Sequence, residues 1–479
     1  MRKYGMRGRK TVRKKRGTDI YTRRRREKIF RKAAVKVCIG LLAVLAVVIT
    51  VAAVMWLRGA GKKEEPQTES KSGTETVKET ETEPQKESQT ETRAETETEK
   101  ETKKETETET ETETETESES EDGAEKEIQA LIDWMPLEDK VAQLFMVTPE
   151  ALTGYDQVTR AGTATRQAYE KMPVGGIVLM EQNLSEPEEL KTMVSNLHSY
   201  SRERTGLPLL IGIDEEGGTV ARIGNHEDFD VPDVEDMADV GKGKDVSKAY
   251  EAGSVLGEYL SDFGIDVDFA PVADVWWNSD NTVVEKRSFG SDPELVAQMT
   301  AEAVKGLQEH GVSATLKHFP GHGGTSKDSH DEIASVSETI QEMDKKDLVP
   351  FKAGIEAGAD QVMIGHICTP KASDEDIPAT FSYFWVTEVL RAYLGFEGVA
   401  ITDALNMGAI TQKYTSAEAS IKALEAGADM LLMPENFEEA YQGVLEAVKD
   451  GTLKEARVDE SLARIFRLKY KKIPQRLPF

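Results

Sequence analysis

The chain has 479 residues and a formal net charge of -27, from 60 Lys+Arg against 87 Asp+Glu, with two cysteines. Residues 1–36 hold 17 Lys/Arg against Asp19 and Glu27, residues 59–126 carry 24 Asp/Glu against 10 Lys/Arg, and residues 127–479 retain about -29. An acidic folded part argues against a nucleic-acid partner, because phosphate neutralisation needs a basic face. Cys38 and Cys368 lie in segments too unlike to pair, so stability rests on a core.

In chain order, the basic tail 1–36 is followed by 21 uncharged residues, 37–57, between Lys36 and Arg58. A helix of that length, at about 1.5 Å per residue, spans a hydrocarbon core of about 30 Å. Its apolar residues cover every face, unlike a core helix. It is also longer than a signal-peptide core and ends in Trp56 and Leu57 rather than a small-residue cleavage site. The reading is an uncleaved transmembrane anchor with a cytoplasmic N-terminus and everything from Gly59 outside. Residues 58–126, dominated by Glu, Thr, Lys and Ser, have too little apolar surface to offset chain entropy and read as a disordered linker.

From Glu127 to Phe479 the texture is globular. Eight short apolar runs ending in polar residues fall at 144–148, 176–181, 209–214, 267–274, 314–318, 361–366, 399–403 and 429–433, separated mostly by helical patterns. One helix shows the expected signals: Asp292 as N-cap, Pro293 in the first turn, Val296, Met299, Ala303 and Leu307 on one face, Gly311 as stop. Glu356-Ala357-Gly358-Ala359-Asp360 and Glu425-Ala426-Gly427-Ala428-Asp429 repeat one helix-to-strand junction. Eight alternations predict an α/β fold, a (β/α)8 barrel of the TIM type, with a doubly wound sheet as the alternative.

In such a barrel the site lies at the C-terminal strand ends, where Asp214, Asp274, Lys317, His318, His366 and Asp403 accumulate. Lys317-His318-Phe319-Pro320-Gly321-His322-Gly323-Gly324 leads into Asp328-Ser329-His330. A carboxylate two residues from an imidazole in a loop is either a hydrogen-bonded turn or an oriented acid/base pair. Asp403 is either a helix N-cap or a nucleophile displayed at a strand tip. Asp214 and Arg222 suit sugar hydroxyls or a charged turn, and Arg287 suits the same ring or a pair with Glu285. No His-Glu-x-x-His or similar spacing is present, so neither metal nor cofactor is expected.

Taken together, Gly212-Ile213-Asp214-Glu215-Glu216-Gly217-Gly218 with Arg222, Ala270-Pro271-Val272-Ala273-Asp274-Val275, Arg287-Ser288-Phe289-Gly290, the Lys317 to Gly323 segment with Asp328-Ser329-His330, and Ile401-Thr402-Asp403 resemble glycoside hydrolase family 3. The Asp-Ser-His element resembles that of its bacterial β-N-acetylglucosaminidases. The resemblance implies a retaining exo-hydrolase acting on terminal N-acetylglucosamine, as in peptidoglycan fragments, with the barrel outside the bacterial cell membrane. It further implies Asp403 as nucleophile and His330, oriented by Asp328, as acid/base, with Asp214, Arg222, Arg287, Lys317 and His318 holding the sugar.

Three departures stand out: Ala404 where many relatives have a second Asp, Trp276-Trp277-Asn278 where the family runs through Asn and Pro-rich residues, and a chain end at Phe479 that leaves no second α/β domain. The two indoles either stack on a sugar or pack under a loop. The alternatives for function are a phosphorylase or β-glucosidase-type enzyme on the same barrel, and a non-catalytic protein that binds wall glycan.

Overall fold

The structure, a computed structural model, describes residues 123–325 and 334–472. The basic tail, the apolar span 37–57 and the linker up to residue 122 lie outside the described residues. The linker reading needs one correction, because 123–126 form the first turn of a helix that runs through 123–134. Buried Ile128 and Ile132 in its following turns hold this helix to the core, and Glu125 forms a two-pronged pair with Arg467. Among the described residues no helix is long and apolar enough to cross a membrane.

Eight parallel strands form the sheet: β1 (Phe145–Val147), β2 (Gly176–Leu179), β3 (Leu210–Ile213), β4 (Val267–Asp268), β5 (Ser313–Phe319), β6 (Gln361–Ile364), β7 (Val399–Thr402) and β8 (Leu431–Leu432). Neighbours pair in the order β7-β6-β5-β4-β3-β2-β1-β8. The two ends meet through a parallel bridge between Ile401 and Met430. There Asp429 N donates to Ala400 O at 2.7 Å and Thr402 N to Met430 O at 3.0 Å. This is the barrel the eight runs predict. Strands covered on both faces read as continuous apolar runs rather than alternating ones, and β2 and β7 are buried at every residue. The run 267–274 differs: only two residues are strand, and the chain then passes through a cis Ala270–Pro271 peptide and regains the sheet at a Val272–Lys317 bridge.

The helix Pro293–Glu309 starts at Asp292, whose side chain accepts from Glu294 N at 3.3 Å, and is followed by Gly311 at φ 78°. It packs on the helix Ser247–Phe263 through glycines, and a Cβ on Gly253 would stand 2.4 Å from Ala303 O. Close approach of two helix backbones therefore demands glycine there.

At the N-terminal rim one device recurs before β4, β6 and β8. Asp266, Asp360 and Asp429 each follow a positive-φ glycine two residues back and precede an even-numbered strand. Each reaches to the preceding odd strand: Asp266 Oδ2 accepts Ile211 N at 2.8 Å, Asp360 Oδ2 accepts Ser313 Oγ at 2.6 Å, and Asp429 Oδ2 accepts Ala400 N at 3.0 Å. Asp429 also gathers Arg391, Arg457, Arg464 and Ser461, tying the helices Phe384–Tyr393 and Glu455–Lys471 to β7.

Candidate active site

At the opposite rim the strand ends enclose a cavity of about 340 Å³ lined by Asp214, Glu216, Arg222, Arg287, Lys317, His318 and Asp403 over an apolar floor that includes Phe269 and Met363. The residues expected from sequence to hold the sugar and the expected nucleophile are all here, whereas Asp274 and His366 lie behind the cavity lining. Asp328 and His330 lie outside the described residues.

Asp214 follows β3, and the hairpin Glu215–Gly217 with Val220–Ala221 carries Glu216 and Arg222 over the barrel mouth. Lys317 Nζ donates to Asp214 Oδ1 at 2.8 Å and lies 2.6 Å from Glu216 Oε1. Arg287 grips Glu216 with a planar fork, Nε to Oε2 and Nη2 to Oε1, both at 2.8 Å. That bond replaces the alternative pairing of Arg287 with Glu285. Arg222 Nη2 reaches Asp214 Oδ2 at 3.3 Å, while its buried Nε faces no protein acceptor. Burial alone would raise both carboxyls, but the cations outweigh it: Lys317 and Arg222 hold Asp214 below its ordinary value, and Arg287 and Lys317 lower Glu216 to about 2. The same anions hold Lys317 above its usual value although burial pulls it down. The network is fully ionised at neutral pH.

His318 joins this network to a second one. Arg287 Nη2 lies 3.3 Å from His318 Nε2, and His318 Nδ1 lies 2.7 Å from Asp274 Oδ2. Because a guanidinium only donates, Nε2 accepts and the ring hydrogen sits on Nδ1, pointing at Asp274. Asp274 is fully buried and also accepts His322 N at 2.6 Å. Burial pushes the His322 imidazole down to about 4, so it is neutral at pH 7.

The two indoles after β4, half-buried Trp276 and exposed Trp277, are anchored to neighbouring segments through their ring N–H groups. Trp276 Nε1 donates to Asn281 O at 2.8 Å, and Trp277 Nε1 donates to Asp347 Oδ1 at 3.0 Å. Lys346 Nζ stands 3.3 Å from the centroid of the Trp277 ring, and a Cβ on Gly324 would meet that ring at 2.1 Å. Lys346 thus stands over the Trp277 ring and Gly324 lies against it, while the residue stays 38% exposed. The glycine is required because the loop crosses the indole in contact.

Asp403 stands one residue past β7, its amide donating to Ile364 O at 2.9 Å and its Oδ1 accepting Ala404 N at 2.8 Å. The next helix, Gly408–Thr411, has Met407 as its cap, so Asp403 is not a helix cap. Burial would raise its carboxyl, yet His366, the Ala404 amide and Lys317 hold it below the ordinary value. An ionised carboxylate thus lines the same cavity as the cationic network.

Residues 136–468 match the Glycosyl hydrolase family 3 N terminal domain. The chain belongs to this family. It is similar to a Beta-hexosaminidase of Nitrosospira multiformis, 36% identical over 271 residues, which cover 56% of this chain and 75% of that protein. It is also similar to Beta-hexosaminidase A of Pseudoalteromonas piscicida, 33% identical over 324 residues, 63% of this chain and 54% of that protein. Among solved structures, a glycoside hydrolase family 3 β-N-acetylglucosaminidase from Paenibacillus sp. str. FPU-7 aligns with a TM-score of 0.67 at 36% identity, over 72% of this chain and 65% of that one. The chain therefore spans about half of the Pseudoalteromonas protein and just under two thirds of the Paenibacillus one.

Two residues of this family 3 site escaped assignment from sequence. Glu216 had a usable signal, since it sits two residues from Asp214 in an extended segment where alternate side chains share a face. Asp347 had none, because it lies 70 residues from the indole it anchors. Among the described residues no group of three or more His, Cys, Asp or Glu is placed to hold a metal ion.

Proposed function

We propose that the protein is a retaining exo-β-N-acetylglucosaminidase that removes terminal β-linked N-acetylglucosamine from glycans such as peptidoglycan fragments. The observation that carries this reading is the ionised Asp403 on one wall of a closed-floored cavity whose other wall is the Asp214, Glu216, Arg222, Arg287, Lys317 and His318 network. At about 340 Å³ the cavity is at the small end of ligand pockets, which suits one terminal sugar. Asp214 and the Arg222 guanidinium, both lining the cavity, supply an acceptor and donors for adjacent hydroxyls.

In this mechanism Asp403 attacks the anomeric carbon as the glycosidic bond breaks, giving a covalent glycosyl-enzyme. His330, oriented by Asp328, protonates the leaving oxygen. The same imidazole then takes a proton from the water that attacks the anomeric carbon and frees Asp403. The two electrostatic networks hold the sugar without reorganising during either step. The names and resemblance of the relatives support the choice of N-acetylglucosamine.

The test is a panel of aryl β-glycosides, run with and without inorganic phosphate. Hydrolysis of the N-acetylglucosaminide in phosphate-free buffer is expected. A β-glucoside preference would move the sugar assignment, a requirement for phosphate would make the enzyme a phosphorylase, and binding without turnover would make it a glycan-binding protein. The same proposal places the barrel outside the cell on an anchor at 37–57; support comes from the uncharged length of that stretch and the basic tail before it.

A further inference from the structure

We propose that His366, which has no part in the mechanism above, is a positioning residue that fixes the Asp403 nucleophile and holds its charge. The inference rests on Asp403 being that nucleophile. His366 lies two residues beyond the end of β6 and is fully buried, next to the strand that carries Asp403.

Its Nε2 is 3.0 Å from Ala404 O, and a carbonyl oxygen only accepts, so Nε2 carries a hydrogen. The Ala404 peptide is thereby held from both ends of its short reach: the carbonyl by His366, the amide by Asp403 Oδ1 at 2.8 Å. The Asp403 amide is in turn bonded to Ile364 O at 2.9 Å. Nucleophile and following peptide are thus latched to β6 at two points. Ala404 is the position where many relatives have a carboxylate, and here only its backbone is engaged in this latch.

The other ring nitrogen reports on charge. Nδ1 is 2.8 Å from Thr380 Oγ1, a hydroxyl with one hydrogen that also stands 3.0 Å from Gly365 O and 3.2 Å from Ile364 O. If the hydroxyl donates to Nδ1, Gly365 O loses that donor. Among the described partners, the arrangement that satisfies each one has Thr380 donate to Gly365 O and the ring donate from both nitrogens, as an imidazolium. A buried cation beside a carboxylate favours the ionised form. Among the charges that outweigh burial at Asp403, that of His366 ranks first. Among the described residues, the charged groups facing Asp403 are His366 just after β6 and Lys317 from β5, with Asp214, Glu216, Arg222 and Arg287 across the cavity, while His318 faces it as a neutral ring. The carboxylate is neutral only in the glycosyl-enzyme ester, so a fixed cation favours the free enzyme at both ends of the cycle.

A buried histidine serving the core alone would alter melting without touching the pH profile. The experiment is therefore kcat/KM against pH on an activated aryl β-N-acetylglucosaminide, with melting temperatures recorded alongside. His366→Ala is expected to lower kcat/KM by about 10²-fold, as misplacement of a reacting group does. His366→Gln retains a donor for Ala404 O without the charge. It should recover about tenfold of that loss, with the acidic limb moved up by about one pH unit, because an Asp403 without its counter-ion protonates at higher pH. Thr380→Val removes the partner of Nδ1 at constant size and should move the limb the same way. An unmoved limb in both His366→Gln and Thr380→Val overturns the proposal, even if His366→Ala does not fold. Wild-type protein without glycosidase activity would instead sink the underlying reading, whereas active wild type with silent variants sinks only the role of His366.

Discussion

At Asp403 burial and charge oppose each other and charge wins, so the side chain is an anion inside a cavity. Asp403→Asn should lower kcat by roughly 10³-fold or more while leaving substrate binding largely intact, since removing a nucleophile abolishes the covalent route; kcat and KM on aryl glycosides check this. Asp347 is the opposite case. It is fully buried, Lys346 offsets only part of the cost, and burial pushes its carboxyl up to about 7. The folded state then keeps a proton that the unfolded chain releases near pH 4, so stability is lost as pH rises from about 4 to about 7. Asp347→Asn should melt increasingly above wild type between pH 5 and pH 8, by an amount bounded at about 4 kcal/mol for three pH units. A constant gap across that range would show that Asp347 does not titrate there. Both residues show the limit of a linear reading: Asp403 announced itself at a strand tip, whereas His366 and Lys317, which hold its charge, come from other strand ends, and the indole bonded to Asp347 lies 70 residues away.

Among the elements, strands covered on both faces were legible because nothing but apolar side chains suits them, and all eight runs contain one. Their lengths were not legible. The run 267–274 keeps its apolar composition past Asp268, yet Pro271 has no amide to donate, so the regular ladder ends after two residues and single bonds such as Thr315 N to Ala270 O carry the chain on to the Val272–Lys317 bridge. The repeated Gly-Ala-Asp junctions were visible as a pattern, but not what their carboxylates do. Asp429 is fully buried between Arg391, Arg457 and Arg464. Asp429→Asn should therefore cost about 3–5 kcal/mol by leaving guanidinium charge uncompensated, visible as a lower urea midpoint with an unchanged slope.

For the whole molecule, the abrupt change of composition near residue 123 predicts that protease cuts the acidic segment before it and leaves the barrel intact. A released fragment beginning close to Gly123 should keep full activity; loss of activity on release would mean that the segment contributes to folding or to the site. Within the barrel, the three rim aspartates tie β4, β6 and β8 back to β3, β5 and β7. New chain ends are therefore not equivalent around the circle. A circular permutant opened before β3, β5 or β7 keeps each aspartate and its target within one contiguous stretch. Opening before β4, β6 or β8 sends the two to opposite ends of the polypeptide, so that the tie closes only after the entire ring has assembled.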